Sequence, residues 1–226
     1  MLRAVIFDFD GVITDSEVLH LRTFNKVLAQ YGIELSKEDY YKNYLGLSDL
    51  DLFTLLADKG MLRLSADGIG NLVKQKNRIF EELAKTEGRM IEGVRDFIGM
   101  LSQNNILMAI CSGALLSEIE LILEEAGIRH FFEEIVSAEY VKKGKPHPEG
   151  FLLTLRKLNE KTQKPITAEQ CVVVEDSHWG LEAGKAARMH TIAITNSYTA
   201  DQLAMAEKIV AHLNHLTITD LNKLCI

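Results

Sequence analysis

The chain has 226 residues, with 25 Lys and Arg against 32 Asp and Glu, a net charge of −7 with histidine neutral. Its 47% apolar and 25% charged residues are globular usage, which excludes a disordered or collagen-like chain, and a chain this long needs no metal or disulfide staple to fold. The acidic balance argues against a nucleic-acid partner, whose phosphates call for Lys and Arg, and no apolar run approaches the ~20 residues of a membrane span. Cys111, Cys171 and Cys225 cannot all pair within one chain and form no CxxC, so a reduced compartment is expected. The N-terminal apolar stretch ends at Asp8, too early for a signal peptide. The expectation is a soluble, cytoplasmic monomer.

In chain order, residues 3–7 form the first continuous apolar run, as in a parallel strand covered on both faces. From about residue 16 to about 88 there are helix signals and no convincing strand. Leu21, Phe24, Val27, Leu28 and Tyr31 follow one helical stripe, and Leu72, Ile79, Phe80 and Leu83 another. Beyond this stretch the spacing predicts a helix over 94–101, a strand at 106–110, a helix over 115–126 and a short strand at 134–137. A helix over 151–158, a strand at 171–174, a helix over 181–187 and strands at 190–194 and 208–212 complete the pattern. Alternating strand and helix implies right-handed crossovers and a parallel sheet. The chain therefore reads as an α/β core, 1–15 with 89–226, interrupted by an all-helical domain at 16–88.

In such sheets the carboxyl ends of the strands face the ligand crevice. The first strand ends in Asp8, Phe9, Asp10 and Gly11, the 106–110 strand in Ser112 and Gly113, and the 171–174 strand in Glu175, Asp176 and Ser177. Lys145 lies between Gly144 and Pro146, ahead of the helix that precedes the 171–174 strand. Asp8, Asp10, Glu175 and Asp176 give −4 and Lys145 gives +1; a divalent cation leaves −1, and a proton on Asp10 leaves 0. Clustered like charges need a cation. A few hard oxygen ligands suit Mg²⁺ better than Zn²⁺ or Ca²⁺.

The run from Asp8 through Phe9, Asp10, Gly11, Val12, Ile13, Thr14 and Asp15 to Ser16 resembles the first signature of haloacid-dehalogenase-superfamily phosphohydrolases. Ser112, Lys145 and the Glu175–Asp176 pair resemble the second, third and fourth, in order, over about 4–194. The helical insert is similar to the cap of the phosphatase and beta-phosphoglucomutase branch. The resemblance implies a Rossmann-like, doubly wound parallel sheet core with that cap. It implies that Asp8 attacks phosphorus to form an aspartyl phosphate, and that Asp10 protonates the leaving group and then takes a proton from water. Ser112 and Gly113 would bind a phosphoryl oxygen, and Lys145 would neutralise developing charge. Mg²⁺ would lie between Asp8, the main-chain carbonyl of Asp10 and Asp176, with Glu175 a ligand through water or an outer partner. His20, about one turn into the first cap helix, would contact substrate or Asp10. Lys76 also resembles a position of the mutase branch, although a lysine on a helix is usually solvated.

The activity implied is a Mg²⁺-dependent phosphomonoesterase acting on a small phosphorylated metabolite such as a sugar phosphate. A beta-phosphoglucomutase-like isomerase is the alternative, and a non-catalytic regulatory relative the third reading. In the loop 45–49, beta-phosphoglucomutases supply an arginine where this chain has Asp49. Other chemistries fail on the residues: Cys-x₅-Arg would need Arg at position 117, which is Ser, and a P-loop would need Gly at Glu139. A response-regulator receiver puts its phospho-accepting Asp after a middle strand; here the acidic pair follows the first.

Simpler roles are also expected. Ser112 could cap the helix that follows it, and Asp15 or Ser16 the first cap helix. Thr14–Ser16 and the neighbourhood of Gly88 would be hinges, and Trp179 would pack the 181–187 helix against the sheet. His147 and His178, poor Mg²⁺ ligands, would serve helix starts and loop packing.

Overall fold

The computed structural model describes residues 1–44, 47–87 and 90–225, and these hold six short strands and nine α-helices. In chain order they are β1 (Ala4–Phe7), α1 (Glu17–Leu28), α2 (Lys37–Asn43), α3 (Asp49–Asp58), α4 (Ala66–Glu87), α5 (Val94–Gln103), β2 (Leu107–Cys111), α6 (Leu116–Glu125), β3 (Glu134–Val136), α7 (Glu149–Glu160), β4 (Cys171–Glu175), α8 (His178–Ala186), β5 (His190–Ile194), β6 (Lys208–Val210) and α9 (Ile218–Leu224). Packing divides them into two units, Met1–Asp15 with Arg89–Ile226, and Ser16–Gly88. None of the described helices is long and apolar enough to cross a membrane.

The first unit is a Rossmann-like parallel sheet in the order β3-β2-β1-β4-β5-β6. All five pairings are parallel. The chain builds outward from β1 to β3 on one side, then returns to lay β4, β5 and β6 on the other. The order reverses between β1 and β4, where Phe7 pairs with Val174. Every residue of β1 and every residue of β4 is buried, which is why both read as unbroken apolar runs. Helix α8 approaches the sheet closely at Gly184, where a Cβ would stand 3.0 Å from Thr191 Cγ2.

The second unit is helical throughout its described residues, with a core built around Phe24, Leu28, Tyr40, Leu52, Phe53 and Leu72. Helix α1 ends at Leu28, and Gly32 at φ 70° turns the chain away. Tyr31 therefore leaves the stripe and lies exposed.

Three local expectations are corrected. Ser16 occupies the N-cap position of α1, but its φ −75° and ψ −20° are already helical and its side chain makes no capping bond. Trp179 does not pack α8 on the sheet, because the buried face of α8 is Gly180, Leu181, Ala183 and Gly184. Trp179 is 44% exposed and lies against the rings of His178 and Tyr198 instead. Lys76 is fully buried rather than solvated, on the same α4 face as Leu72, Phe80 and Leu83. The hinge expected near Gly88, and Leu45 and Gly46 of the 45–49 loop, lie outside the described residues.

Candidate active site

Asp8 continues β1 beyond its last strand residue, its N–H donating to Val174 O at 2.9 Å. The chain then tightens. Phe9 O accepts from the N–H groups of Val12, Ile13 and Thr14, and Gly11 N–H donates to Thr14 O at 2.8 Å. Asp10 faces Thr14 across an isolated bridge. Gly11 has φ +77°, and a Cβ there would lie 1.8 Å from Asp176 Oδ2. The first loop thus closes directly against the end of β4, at the reversal of strand order where open α/β sheets bind ligands.

Lys145 precedes a cis peptide bond to Pro146. Its Nζ donates to Asp8 Oδ1 at 2.7 Å and to Glu175 Oε1 at 2.5 Å, and lies 5.4 Å from the centre of the Phe151 ring. Glu175 is fully buried. Its Oε2 accepts from Asp176 N–H, Ser177 N–H and the Ser177 hydroxyl at 3.0–3.2 Å. Gly180 gives this carboxylate room, since a Cβ there would lie 1.7 Å from Glu175 Oε1. With both oxygens engaged, Glu175 acts as a bracket between Lys145 and the turn that carries Asp176.

Asp8, Glu175 and Asp176 each offer a carboxylate oxygen, all within 4.8 Å of one another. The Asp10 side chain is outside that group. Burial pushes Glu175 up from the usual carboxylate range, and Asp8 adds to it while Lys145 opposes it. Burial, then Glu175 and Asp8, push Asp176 well above its usual value. Burial disfavours charge on Lys145, but Asp8 and Glu175 outweigh it and raise the ammonium far above its ordinary value. One lysine among three clustered carboxylates leaves them short of positive charge. The donors are hard oxygens, and the residues fit a small divalent cation.

Ser112 lies at the end of β2, its N–H donating to Val136 O at 2.9 Å. It does not cap α6. Its Oγ accepts from Ala114 N–H at 3.0 Å, which leaves its own proton to donate. The N-cap position of α6 belongs to Leu115, and the Leu116 N–H is taken by Glu139 Oε2 at 2.8 Å. Gly113 is exposed beside Ser112. Burial pushes the Cys111 and Cys171 thiols up to about 11 and about 12, so neither is a nucleophile at neutral pH.

His20 belongs to the second unit, and there it joins Lys76 and Asp49. Lys76 Nζ is 2.9 Å from Asp49 Oδ1 and 2.7 Å from His20 Nδ1. It lies over the rings of Phe24 and Phe80, on which His20 also stacks at 4.3 Å. Burial, and then Lys76, hold the His20 pKa well below its usual value. The imidazole is neutral, with Nδ1 facing Lys76 Nζ. Asp49 therefore sets a carboxylate against the buried Lys76 amine inside a helical core.

Sequence reasoning missed Glu139, Phe151 and Gly180. Gly180 carries a signal, a glycine three residues past the N-cap Ser177. Glu139 carries none, because Leu116 lies 23 residues earlier, and Phe151, six residues past Lys145, reads only as a core position of α7. His147 and His178 stand where expected: His147 Nδ1 accepts from Glu149 N–H at the start of α7, and His178 opens α8.

Comparison with known proteins points to one family. The family model for haloacid dehalogenase-like hydrolases matches residues 5–194. A phosphorylated carbohydrates phosphatase of Thermotoga maritima is 31% identical over 192 residues, 84% of each chain. Hexitol phosphatase B of Escherichia coli is 29% identical over 224 residues, covering 97% of this chain and 96% of that one. The crystal structure of CbbY from Rhodobacter sphaeroides, in complex with phosphate, superposes with a TM-score of 0.84 at 24% identity, over 98% of this chain and all of that one. The matched span is most of the chain and holds β1, β2 and β4 with the acids and hydroxyl that end or follow them, and Lys145 ahead of α7, so the chain belongs to the haloacid dehalogenase-like hydrolase family.

Proposed function

We propose that this hydrolase is a Mg²⁺-dependent phosphomonoesterase for small phosphorylated metabolites, sugar or polyol phosphates, and that it works through an aspartyl phosphate on Asp8. The observation that carries the reading is Lys145, bridging Asp8 and Glu175 beside Asp176. Two similar proteins are named as phosphatases of phosphorylated carbohydrates and of hexitols, which supports the substrate class.

Lys145 fixes one oxygen of Asp8, so the other attacks phosphorus in line with the departing alkoxide. The new O–P bond forms as the ester P–O bond breaks. Asp10 gives its proton to the alkoxide, which leaves as an alcohol. Ser112 donates its hydroxyl proton to a phosphoryl oxygen, and Lys145 balances the charge that grows on the phosphoryl group. Water then attacks the aspartyl phosphate, gives a proton to Asp10, and releases phosphate with Asp8 restored. Asp8, the Asp10 carbonyl and Asp176 would hold the cation, with Glu175 bracing them. Bound there, Mg²⁺ would supply Lewis-acid charge neutralisation and orient the phosphoryl group. Formally, Asp8, Glu175 and Asp176 with Lys145 sum to −2, which a divalent cation brings to zero, so a phosphate dianion can enter.

The test is phosphate release from sugar, polyol and nucleotide monophosphates, with and without chelator, by the wild type and by Asp8→Asn. Asp8→Asn keeps the shape and removes the attacking charge, so turnover should fall by about a thousandfold or more with the fold intact. Chelation should abolish activity, Mg²⁺ should restore it, and Ca²⁺ should restore it poorly because its larger shell suits in-line geometry badly. Undiminished turnover by Asp8→Asn, or by the chelated enzyme, overturns the proposal.

A further inference from the structure

The loop that carries Ser112 and Gly113 enters α6 without a capping side chain of its own. Leu115 is the N-cap residue and offers no side-chain acceptor. The first N–H groups of a helix lack intrahelical partners and carry partial positive charge. Here the acceptor comes from another segment. Glu139 lies in the 3-10 turn Ala138–Tyr140 that follows β3. Its Oε2 accepts from Leu116 N–H at 2.8 Å and from the Ser137 hydroxyl at 3.1 Å. One residue earlier, Ala138 N–H donates to Ala114 O at 3.2 Å. The loop is therefore pinned at three points along five residues: Ser112 N–H on Val136 O, Ala114 O on Ala138 N–H, and Leu116 N–H on Glu139.

We infer that Glu139 is a positioning residue for the phosphate-binding loop. It acts through the α6 N-terminus to hold Ser112 and Gly113 in the arrangement that receives a phosphoryl group. Its geometry fits that role better than a mere surface contact. Ser137, its other partner, is fully buried, so the carboxylate ties the loop to the packed end of β3. A carboxylate at a helix N-terminus also satisfies the helix dipole. With that position filled, an incoming anion is directed to the Ser112 hydroxyl and the loop ahead of the helix. Glu139 itself is exposed and takes no part in the chemistry. The inference rests on the proposed function, in which Ser112 binds a phosphoryl oxygen.

The experiment compares Glu139→Ala, Glu139→Gln and Ser112→Ala with the wild type. It measures kcat and KM for an aryl phosphate, inhibition by inorganic phosphate, and hydrogen exchange at residues 112–118. Glu139→Ala should raise KM and the phosphate inhibition constant together by about fivefold, as loss of a helix-capping acceptor does. Its kcat should stay close to wild type, and exchange at Leu116 should quicken. Glu139→Gln keeps an acceptor oxygen for Leu116 N–H and should recover most of the loss. A purely structural role would lower thermal stability without separating KM from kcat and without rescue by glutamine. If Ser112→Ala weakens phosphate binding while Glu139→Ala leaves it unchanged, the inference is overturned and the proposed function stands. If Ser112→Ala leaves phosphate binding unchanged as well, the reading of the site itself is overturned.

Discussion

Gly11 meets two constraints at once. Its φ of +77° is a conformation that an L side chain adopts at a cost of roughly 1–2 kcal/mol. Any Cβ would also overlap the Asp176 carboxylate, 1.8 Å away. The first constraint concerns stability and the second the site. Gly11→Ala should therefore lose about 1–2 kcal/mol in denaturant unfolding and also require far more Mg²⁺ for phosphate release, because Asp176 must move. A Gly11→Ala protein with the wild-type Mg²⁺ dependence would show that Asp176 does not hold the cation. Asp8, Ser112, Glu175 and Asp176 stand out in the sequence as candidates because each ends or follows an apolar strand, and parallel strands deliver their ends to one rim; Lys145 stands out by its place between Gly144 and Pro146, ahead of α7. Glu139 does not, because what gives it a role is an N–H lying 23 residues earlier. Nothing local to Glu139 encodes that contact.

At the scale of elements, the strands were legible to within a residue or two, and in β1 and β4 burial on both faces leaves little room for polar residues. Helix α4 shows where that logic stops. A stripe of Leu72, Phe80 and Leu83 includes position 76, yet a lysine there reads as solvated, since burying an ammonium is costly. Its neutralising partner, Asp49, opens α3, and its other partner, His20, lies on α1. Three helices must assemble before Lys76 makes sense, and no single stretch carries that information. Elsewhere an ion pair pins a strand to a helix. Glu134 at the start of β3 meets Lys157 of α7 at 3.3 Å and Lys161, just past α7, at 2.7 Å. Burial works against its charge, but hydrogen bonds from Lys161 and Lys157 outweigh it and hold Glu134 below the usual carboxylate range. A lowered folded value stabilises above the unfolded pKa of about 4.3 and loses that contribution as pH falls through the folded value. The melting-temperature advantage of wild type over Glu134→Gln should be full at pH 7 and should vanish at pH values below the folded pKa. An advantage that persisted there would mean the carboxylate charge is not what pins β3 to α7.

At the scale of the whole molecule, the question under the proposed mechanism is which acceptor an aspartyl phosphate on Asp8 would meet, water or a sugar. A phosphosugar mutase must hold a bisphosphate with one phosphate always away from Asp8, and that phosphate needs its own cation. The buried Lys76 is already matched by Asp49 in the second unit, and Lys145 by Asp8 and Glu175 in the first. Where an arginine is expected in a beta-phosphoglucomutase, this chain has Asp49, and its carboxylate is paired with Lys76. Freeing Lys76 would mean breaking a buried pair and stranding a charge, which is strongly unfavourable. Even a freed Lys76 would be a point charge and not a bidentate fork. The aspartyl phosphate should therefore be lost to water. With glucose 1-phosphate and a bisphosphate primer, the expected products are glucose and free phosphate, with little or no glucose 6-phosphate. Coupled detection of glucose 6-phosphate beside a phosphate assay decides it. Efficient interconversion with negligible phosphate release would mean that a second phosphate finds a cation despite the Lys76–Asp49 pair, and it would make this chain a mutase.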